Sequence, residues 1–278
     1  MAVRIVTDST VDLPSKLADE LGISVVPIYV RFGEEVYRDQ VDISEDEFYQ
    51  RLEKTKVHPS TVQPGPQDFL EVYRKLSSKA DGIISVHISS KLSGTCNSAL
   101  MAKDMLETGC PVEVVDSQMV TTGLGLITIV AATAAKRGES VDKIVKEVKK
   151  TIPKIHLLCL LDTLKYLLLG GRIGKAKALL GSILNVKPML SLKNGEVVPA
   201  GQVRTRAKGI DKLFEFTQNT PNIQDLAVVY STTPDEAQSL AERLDSVFER
   251  KRIRIARVGP ALGVHMGPGA LIVVARGG

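Results

Sequence analysis

Tryptophan is absent from the 278 residues, and six phenylalanines and six tyrosines are the whole aromatic complement. Stacking platforms for nucleic-acid bases are therefore scarce. An excess of one charge is missing too. The 36 basic and 32 acidic residues leave a formal +4, too little to predict a nucleic-acid partner. The one basic stretch, Glu249 to Arg257, alternates Arg252 and Arg254 with Ile253 and Ile255, as the polar face of a strand does. Cys96, Cys110 and Cys159 are odd in number and fit no metal spacing, so reduced thiols in a cytoplasmic protein are expected. No run reaches the ~20 strongly apolar residues of a membrane span. Met119 to Ala135 is uncharged but rich in Gly, Thr and Ala, and the Leu-rich His156 to Leu169 contains Asp162 and Lys165. Both read as buried elements of a core. The opening MAVRIVTDST offers no apolar signal-peptide core. There is no Gly-x-x-x-x-Gly-Lys-Ser/Thr run, and Val120 to Gly125 is not a dinucleotide fingerprint.

What is present alternates strand and helix. Val3 to Val6 reads as a strand that ends in Thr7-Asp8-Ser9-Thr10, and Ile23 to Phe32 as a second one. Ser44 with Glu47 forms a capping box for the next helix. Three prolines and a glycine between His58 and Pro66 exclude helix and central strand, and predict a stiff loop. A helix follows to about Ser78, then a strand over Gly82 to Ile88, a helix over Asn97 to Leu106 and a strand over Val112 to Val115. Helices are expected at Thr121 to Lys136 and Val141 to Thr151. This spacing indicates βαβ units and a mostly parallel sheet.

After Pro153 the pattern changes. A strand over Ile155 to Leu161 precedes a short helix that stops at Gly170-Gly171, and another helix is expected from Ile173. Asn194-Gly195 between two apolar runs is a type I′ hairpin signal. Helices near Arg206 to Thr217 and Pro234 to Arg250 alternate with strands at Leu226 to Tyr230, Ile253 to Val258 and Ala270 to Ala275. The expected organisation is an N-terminal α/β unit (1–153) and a C-terminal mixed-sheet α/β unit (154–278).

Ligands of open α/β sheets sit at the carboxyl ends of the strands. The loops expected there carry Thr7 to Thr10, Ser93-Gly94-Thr95 and Asp116-Ser117, with Ser60 and Thr61 of the Pro-rich loop above them. Gly170-Gly171-Arg172-Ile173-Gly174 and the glycine-rich run around His265 come from the second half. Ser93 admits three readings. It is a nucleophile if His265 serves as its base, a plain helix cap, or a contact for a carboxylate or phosphate beside the free amides of a helix start. The residues alone leave these open, so a serine hydrolase or acyltransferase using Ser93 and His265 stays as the rival reading. A regulatory module that reports lipid status is a third. Asp8, Asp12, Asp116 and Asp162 are dispersed as caps and turns are, and His58, His87 and His156 show no partner pattern.

In order along the chain stand Thr7-Asp8-Ser9, Ser60-Thr61-x-Gln63-Pro64, Leu92-Ser93-Gly94-Thr95, Asp116-Ser117, Gly170-Gly171-Arg172-Ile173 and His265 within Gly263 to Gly269. With these, nearly the whole sequence resembles the DegV family of bacterial fatty-acid-binding proteins. The resemblance implies an N-terminal three-layer α/β/α domain with a parallel sheet and a smaller C-terminal two-layer α/β domain with a mixed sheet. It implies a non-catalytic protein that takes no cofactor. A long-chain fatty acid such as palmitate would lie in a buried tunnel, its carboxylate held by Thr61 and Ser93. Ser60, Gly94, Thr95, Arg172 and His265 would belong to the polar mouth. Some members are the acyl-carrying subunit of a fatty acid kinase, whose separate ATP-binding subunit phosphorylates the carboxylate. The apolar material for a tunnel is present in Leu157 to Leu190 and in the uncharged helix at Met119 to Ala135.

Overall fold

The computed structural model describes residues 2–180 and 186–278; residues 181–185, part of the apolar Leu157 to Leu190 stretch, lie outside this description. The chain begins with β1 (Ala2–Asp8), whose alternating side chains serve two cores. Ile5 faces one side of the sheet and Val6 the other. α1 (Ser15–Leu21) leads to β2 (Ile23–Val26), which pairs with β1 in parallel. The expected single strand to Phe32 is broken after Val26, where Pro27 has no amide to donate. Its second part is β3 (Tyr29–Phe32), which joins β4 (Glu35–Arg38) and β5 (Ser60–Val62) in a small antiparallel sheet, order β4-β3-β5. The Pro-rich segment is thus an edge strand at its centre rather than a loop. Pro59 and Pro64 flank it, at the position where a sheet tolerates proline.

Between β4 and β5 runs α2 (Glu45–Lys54), whose Ser44 hydroxyl accepts from the Glu47 amide at 3.3 Å. α3 (Pro66–Ser77), β6 (Ala80–His87), α4 (Thr95–Asp104), β7 (Val112–Asp116), α5 (Thr121–Lys136) and α6 (Val141–Thr151) follow. The parallel sheet has the order β2-β1-β6-β7. Phe69, Leu70 and Tyr73 of α3 and Ala99 and Ala102 of α4 pack on one face. Leu124, Leu126 and Ala131 of α5 and Ile144 of α6 pack on the other, giving the expected three layers.

The second sheet is built from β8 (Ile155–Leu160), β9 (Lys187–Lys193), β10 (Glu196–Val203), β11 (Asp225–Tyr230), β12 (Ile253–Arg257) and β13 (Leu271–Arg276), in the order β10-β9-β8-β13-β11-β12. Only the β11–β12 pair is parallel, so the sheet is mixed. α7 (Lys165–Leu169), α8 (Arg206–Gln218), α9 (Pro234–Arg243) and α10 (Pro260–Met266) complete the chain. α9 stops seven residues short of the expected Arg250, and from Gly174 to Leu179 the chain forms a 3-10 turn in place of a second α-helix. Asn194 and Gly195 both take positive φ, 51° and 80°, as a type I′ turn requires.

α5 explains the uncharged Met119 to Ala135 run. It packs against β1 and β6 of the first sheet and against β8, β11 and β13 of the second. A helix covered on both sides has no solvent face to make polar. Among the described residues no helix is long and apolar enough to cross a membrane.

Candidate functional site

A cavity of about 380 Å³ lies beyond the carboxyl end of β6. It is bounded by the loop that follows β6, by β5 and α10, and by one face of the β8–β9 ribbon. Its volume falls within the ~300–1,000 Å³ of small-molecule sites. Its polar groups are few: Thr10, Thr61, Gln63, Ser93, Arg172, Ser191 and His265. The rest is apolar, including Ile88, Leu92, Leu157, Leu161, Leu190 and Leu262.

α10 brings His265 to the cavity. Pro260 suits the first turn of this helix, and two buried carboxylates fix its start. Asp12 Oδ1 accepts the Gly259 amide at 2.9 Å and Asp39 Oδ1 the Ala261 amide at 3.2 Å. Burial pushes the Asp39 carboxyl up to about 7 and raises that of Asp12 well above the usual carboxylate range. At the other end of α10, His265 Nε2 lies 3.0 Å from Thr61 Oγ1. Nδ1 is buried with no hydrogen-bond partner, and a Cβ on Gly170 would come within 2.2 Å of it. Glycine at 170 is therefore what lets the ring in. Burial, then the Arg172 cation and His58, push the imidazole pKa down to about 3, so the ring is neutral at physiological pH and carries one proton. A stranded N–H is costlier than a stranded lone pair, which places that proton on Nε2. Nε2–H then donates to Thr61 Oγ1, and the threonine O–H is free to donate into the cavity.

Ser93 is prepared in the same manner. Its Oγ accepts the Thr95 amide at 3.3 Å and lies 2.8 Å from Thr95 Oγ1. Either hydroxyl can donate in that pair, and when Thr95 donates, the Ser93 O–H is left for the cavity. Two hydroxyls are thus loaded with donors from behind and present donors in front, an arrangement that favours a ligand able only to accept. A carboxylate is such a ligand.

Thr61, Ser93, Arg172 and His265 all line the cavity. Arg172 donates to the Leu92 carbonyl at 3.2 Å and the Gly170 carbonyl at 2.9 Å, so it both caps α7 and ties its end to the Ser93 loop. Gly94 and Thr95 stand behind the lining. Thr95 is buried and loads Ser93, while Gly94 leaves room for the Gln63 amide, whose Oε1 would lie 2.2 Å from a Cβ there. Ser60 is exposed on β5 and does not line this cavity, whereas the two residues after it, Thr61 and Val62, do. For the rival reading, Ser93 Oγ bonds Thr95 and His265 Nε2 bonds Thr61, so no bond between the supposed nucleophile and base is present, and no acid orients Nδ1. The dispersed aspartates serve as caps, turns and ion pairs. Asp8 accepts the Thr10 amide, Asp116 the Gln118 amide, and Asp162 pairs with Lys187.

Three contributors escaped sequence reasoning. Gln63 lines the cavity and donates to Ser98 Oγ at 3.1 Å; the sequence shows it within the Ser60-Thr61-x-Gln63-Pro64 motif but gives it no role. Ser191 enters from β9 with its hydroxyl on the Leu157 carbonyl at 2.7 Å. Cys159 lines the cavity as a free thiol whose pKa burial pushes up to about 12.

Residues 2–276 match the model of a family described as uncharacterised proteins of the DegV family. The chain is 40% identical over 276 residues to a DegV domain-containing protein of Streptomyces coelicolor, with 98% of this chain and 97% of that one covered. It is similar to a solved structure described as fatty acid binding of a DegV family protein from Thermus thermophilus, with a TM-score of 0.92, 35% identity and full coverage of both chains. A second solved structure, a stearic-acid-binding protein from Eubacterium ventriosum, gives a TM-score of 0.90 at 26% identity over 99% of this chain and 98% of that one.

Proposed function

The chain belongs to the DegV family, and from that premise we propose that it binds a long-chain fatty acid such as palmitate, with the acyl chain in the cavity and the carboxylate on Thr61 and Ser93. The observation that carries this reading is that the Thr61 and Ser93 hydroxyls line a cavity whose other walls are mostly apolar. Burying each methylene contributes about 0.8 kcal/mol, so a palmitoyl chain offers on the order of 12 kcal/mol before costs. Association and ordering remove several kcal/mol of that. The head group therefore needs to be aimed more than held, and two neutral O–H donors are enough. The relatives from Thermus thermophilus and Eubacterium ventriosum, described as binding fatty acids, support the same ligand class.

In this reading the protein is a non-catalytic, cytoplasmic acyl carrier. The unlinked Ser93 and His265 and the three free thiols fit that role. A separate ATP-binding fatty acid kinase subunit then supplies nucleotide and metal for any phosphorylation of the carboxylate, since the sequence has no phosphate-cradling Gly-x-x-x-x-Gly-Lys-Ser/Thr run of its own. Native mass spectrometry tests the core of the proposal. Purified protein should carry an adduct of fatty-acid mass, or acquire one when palmitate is added. A spectrum that shows only the bare chain after both overturns it.

A further inference from the structure

The cavity does not end in the body of the core. It ends one side chain away from a second cavity. The β8–β9 register pairs Cys159 with Leu190, and two residues further along the two strands stand Leu157 and Leu192, with the Ser191 hydroxyl on the Leu157 carbonyl between the strands. Cys159, Leu190, Leu157 and Leu192 all line the first cavity. The next residue of β8 on this face is Ile155, about 7 Å on, and it lines a different cavity of about 600 Å³ together with Met119, Asp116, Lys149 and Lys193. Leu192 lines both. On the opposite wall the change is as abrupt: Val120 faces the first cavity and Met119 the second. His265, Leu161 and Leu167 lie towards the other end of the ribbon, where α7 and α10 meet.

Leu192 is also held in place. It precedes the Asn194-Gly195 turn, whose Gly195 carbonyl accepts from the buried Ser89 hydroxyl at 2.8 Å. A Cβ on Gly195 would fall 2.4 Å from that hydroxyl, so the hairpin tip is seated on the loop after β6. The partition therefore has little room to move away from the tunnel.

The geometry points to Leu192 as the end wall of the acyl tunnel, the residue that sets the longest chain the protein accepts, with Met119 backing it. Behind it the lining includes Asp116, Lys149, Lys193 and the amides of Gln118 and Asn194, so a tail that passes the wall leaves the apolar lining. This inference rests on the fatty-acid reading above and adds the specificity residue to it. The second cavity becomes usable only when the wall is cut back. Leu192→Ala should then join the two cavities, and Leu192→Phe should shorten the first.

The test loads the full chain with an equimolar mixture of myristate, palmitate, stearate, arachidate and behenate and reads the bound species by native mass spectrometry. Leu192→Ala should raise the ratio of arachidate to palmitate about tenfold over the parent, the gain expected from burying roughly two further methylenes. Leu192→Phe should raise myristate over stearate by a similar factor. Met119→Ala, which leaves the hairpin untouched, should move the profile in the direction of Leu192→Ala and answers for that variant if it does not fold. Variants that load fatty acid with the parent's length profile overturn the end-wall assignment and leave the carboxylate site standing. A parent that loads none of the five acids overturns the fatty-acid reading and this inference with it.

Discussion

His87 and His265 each share a hydrogen bond with a hydroxyl, and the two settings differ in what is left over. In the core, Tyr73 O–H donates to Ser85 Oγ at 2.8 Å, Ser85 lies 2.6 Å from His87 Nε2, and His87 Nδ1 lies 3.0 Å from Asp8 Oδ2. Asp8 also accepts the Ile88 and Thr10 amides and the Thr10 hydroxyl. Hydroxyl, imidazole and carboxylate stand in the order of a nucleophile, its base and an orienting acid. Ser85, His87 and Asp8 are nevertheless fully buried, the serine is occupied by Tyr73, and none of the three lines the cavity. At the mouth the pair is Thr61 and His265, with one ring nitrogen unpaired and donor capacity facing the cavity. A closed network holds the fold, whereas an open one has something to offer a ligand. The difference lies in spare valence and access, not in residue type.

The largest effect should come from opening the closed network. Asp8→Asn replaces one acceptor oxygen by an amide that cannot accept, and strands at least one buried donor among the four that converge there. Stranded donors cost about 1–3 kcal/mol each, and breaking a buried charged contact about 3–5 kcal/mol. A loss of about 3–5 kcal/mol in chemical unfolding is expected, or about 10 °C in Tm. A variant as stable as the parent would show that the core chain carries no weight in the fold, and the contrast with the mouth would fail.

Much of this contrast lay beyond the sequence. The α/β order, the hairpin at Asn194-Gly195 and the buried α5 were legible, because each rests on local turn chemistry or on a periodicity of charge. The small sheet was not. It assembles three segments of which the last, Ser60 to Val62, is three residues long and set among prolines. Thr61 and Ser93 could be named from the resemblance in the order of motifs, but the groups behind them that would free their hydroxyls to donate, as proposed, could not. Their backing groups, His265 and Thr95, act through distances and proton positions that spacing does not encode. His87 looked partnerless for the same reason: Asp8 is 79 positions away along the chain and meets it only because β1 and β6 are neighbours.

Opening the mouth should instead show in affinity. Thr61→Ala and Ser93→Ala each delete one O–H donor to a charged ligand, worth about 1.5–3 kcal/mol, so palmitate binding should weaken roughly 10- to 100-fold. The folded state should lose about 1–3 kcal/mol in each variant without unfolding, because Thr61→Ala strands the His265 Nε2–H and Ser93→Ala takes the acceptor from the buried Thr95. Titration with a fluorescent fatty acid and chemical unfolding of the same samples separate the two quantities. If either variant binds palmitate as the parent does, that hydroxyl is not a carboxylate donor.

The smallest effect tests where the open region ends. Gly94 has a φ of −76°, so alanine is acceptable to the backbone, and the three atoms nearest the added Cβ all belong to the Gln63 amide, with Oε1 at 2.2 Å and Nε2 at 2.7 Å. Gln63 is exposed and flexible, and it should swing aside and give up its 3.1 Å bond to Ser98. One neutral hydrogen bond is worth about 0.5–1.5 kcal/mol, which amounts to a few-fold loss of affinity if Gln63 helps to shape the mouth it lines. In a Gln63→Ala background the obstacle and the bond are both gone, so Gly94→Ala should then cost nothing further. The coupling between the two positions is the quantity to measure, since contacting residues depart from additivity by about 0.5 kcal/mol or more. An alanine at 94 that weakens palmitate binding equally in both backgrounds would mean that the glycine serves the ligand itself, through close approach of its backbone, and the rim of the open region would then run through Gly94 instead of stopping at Ser93.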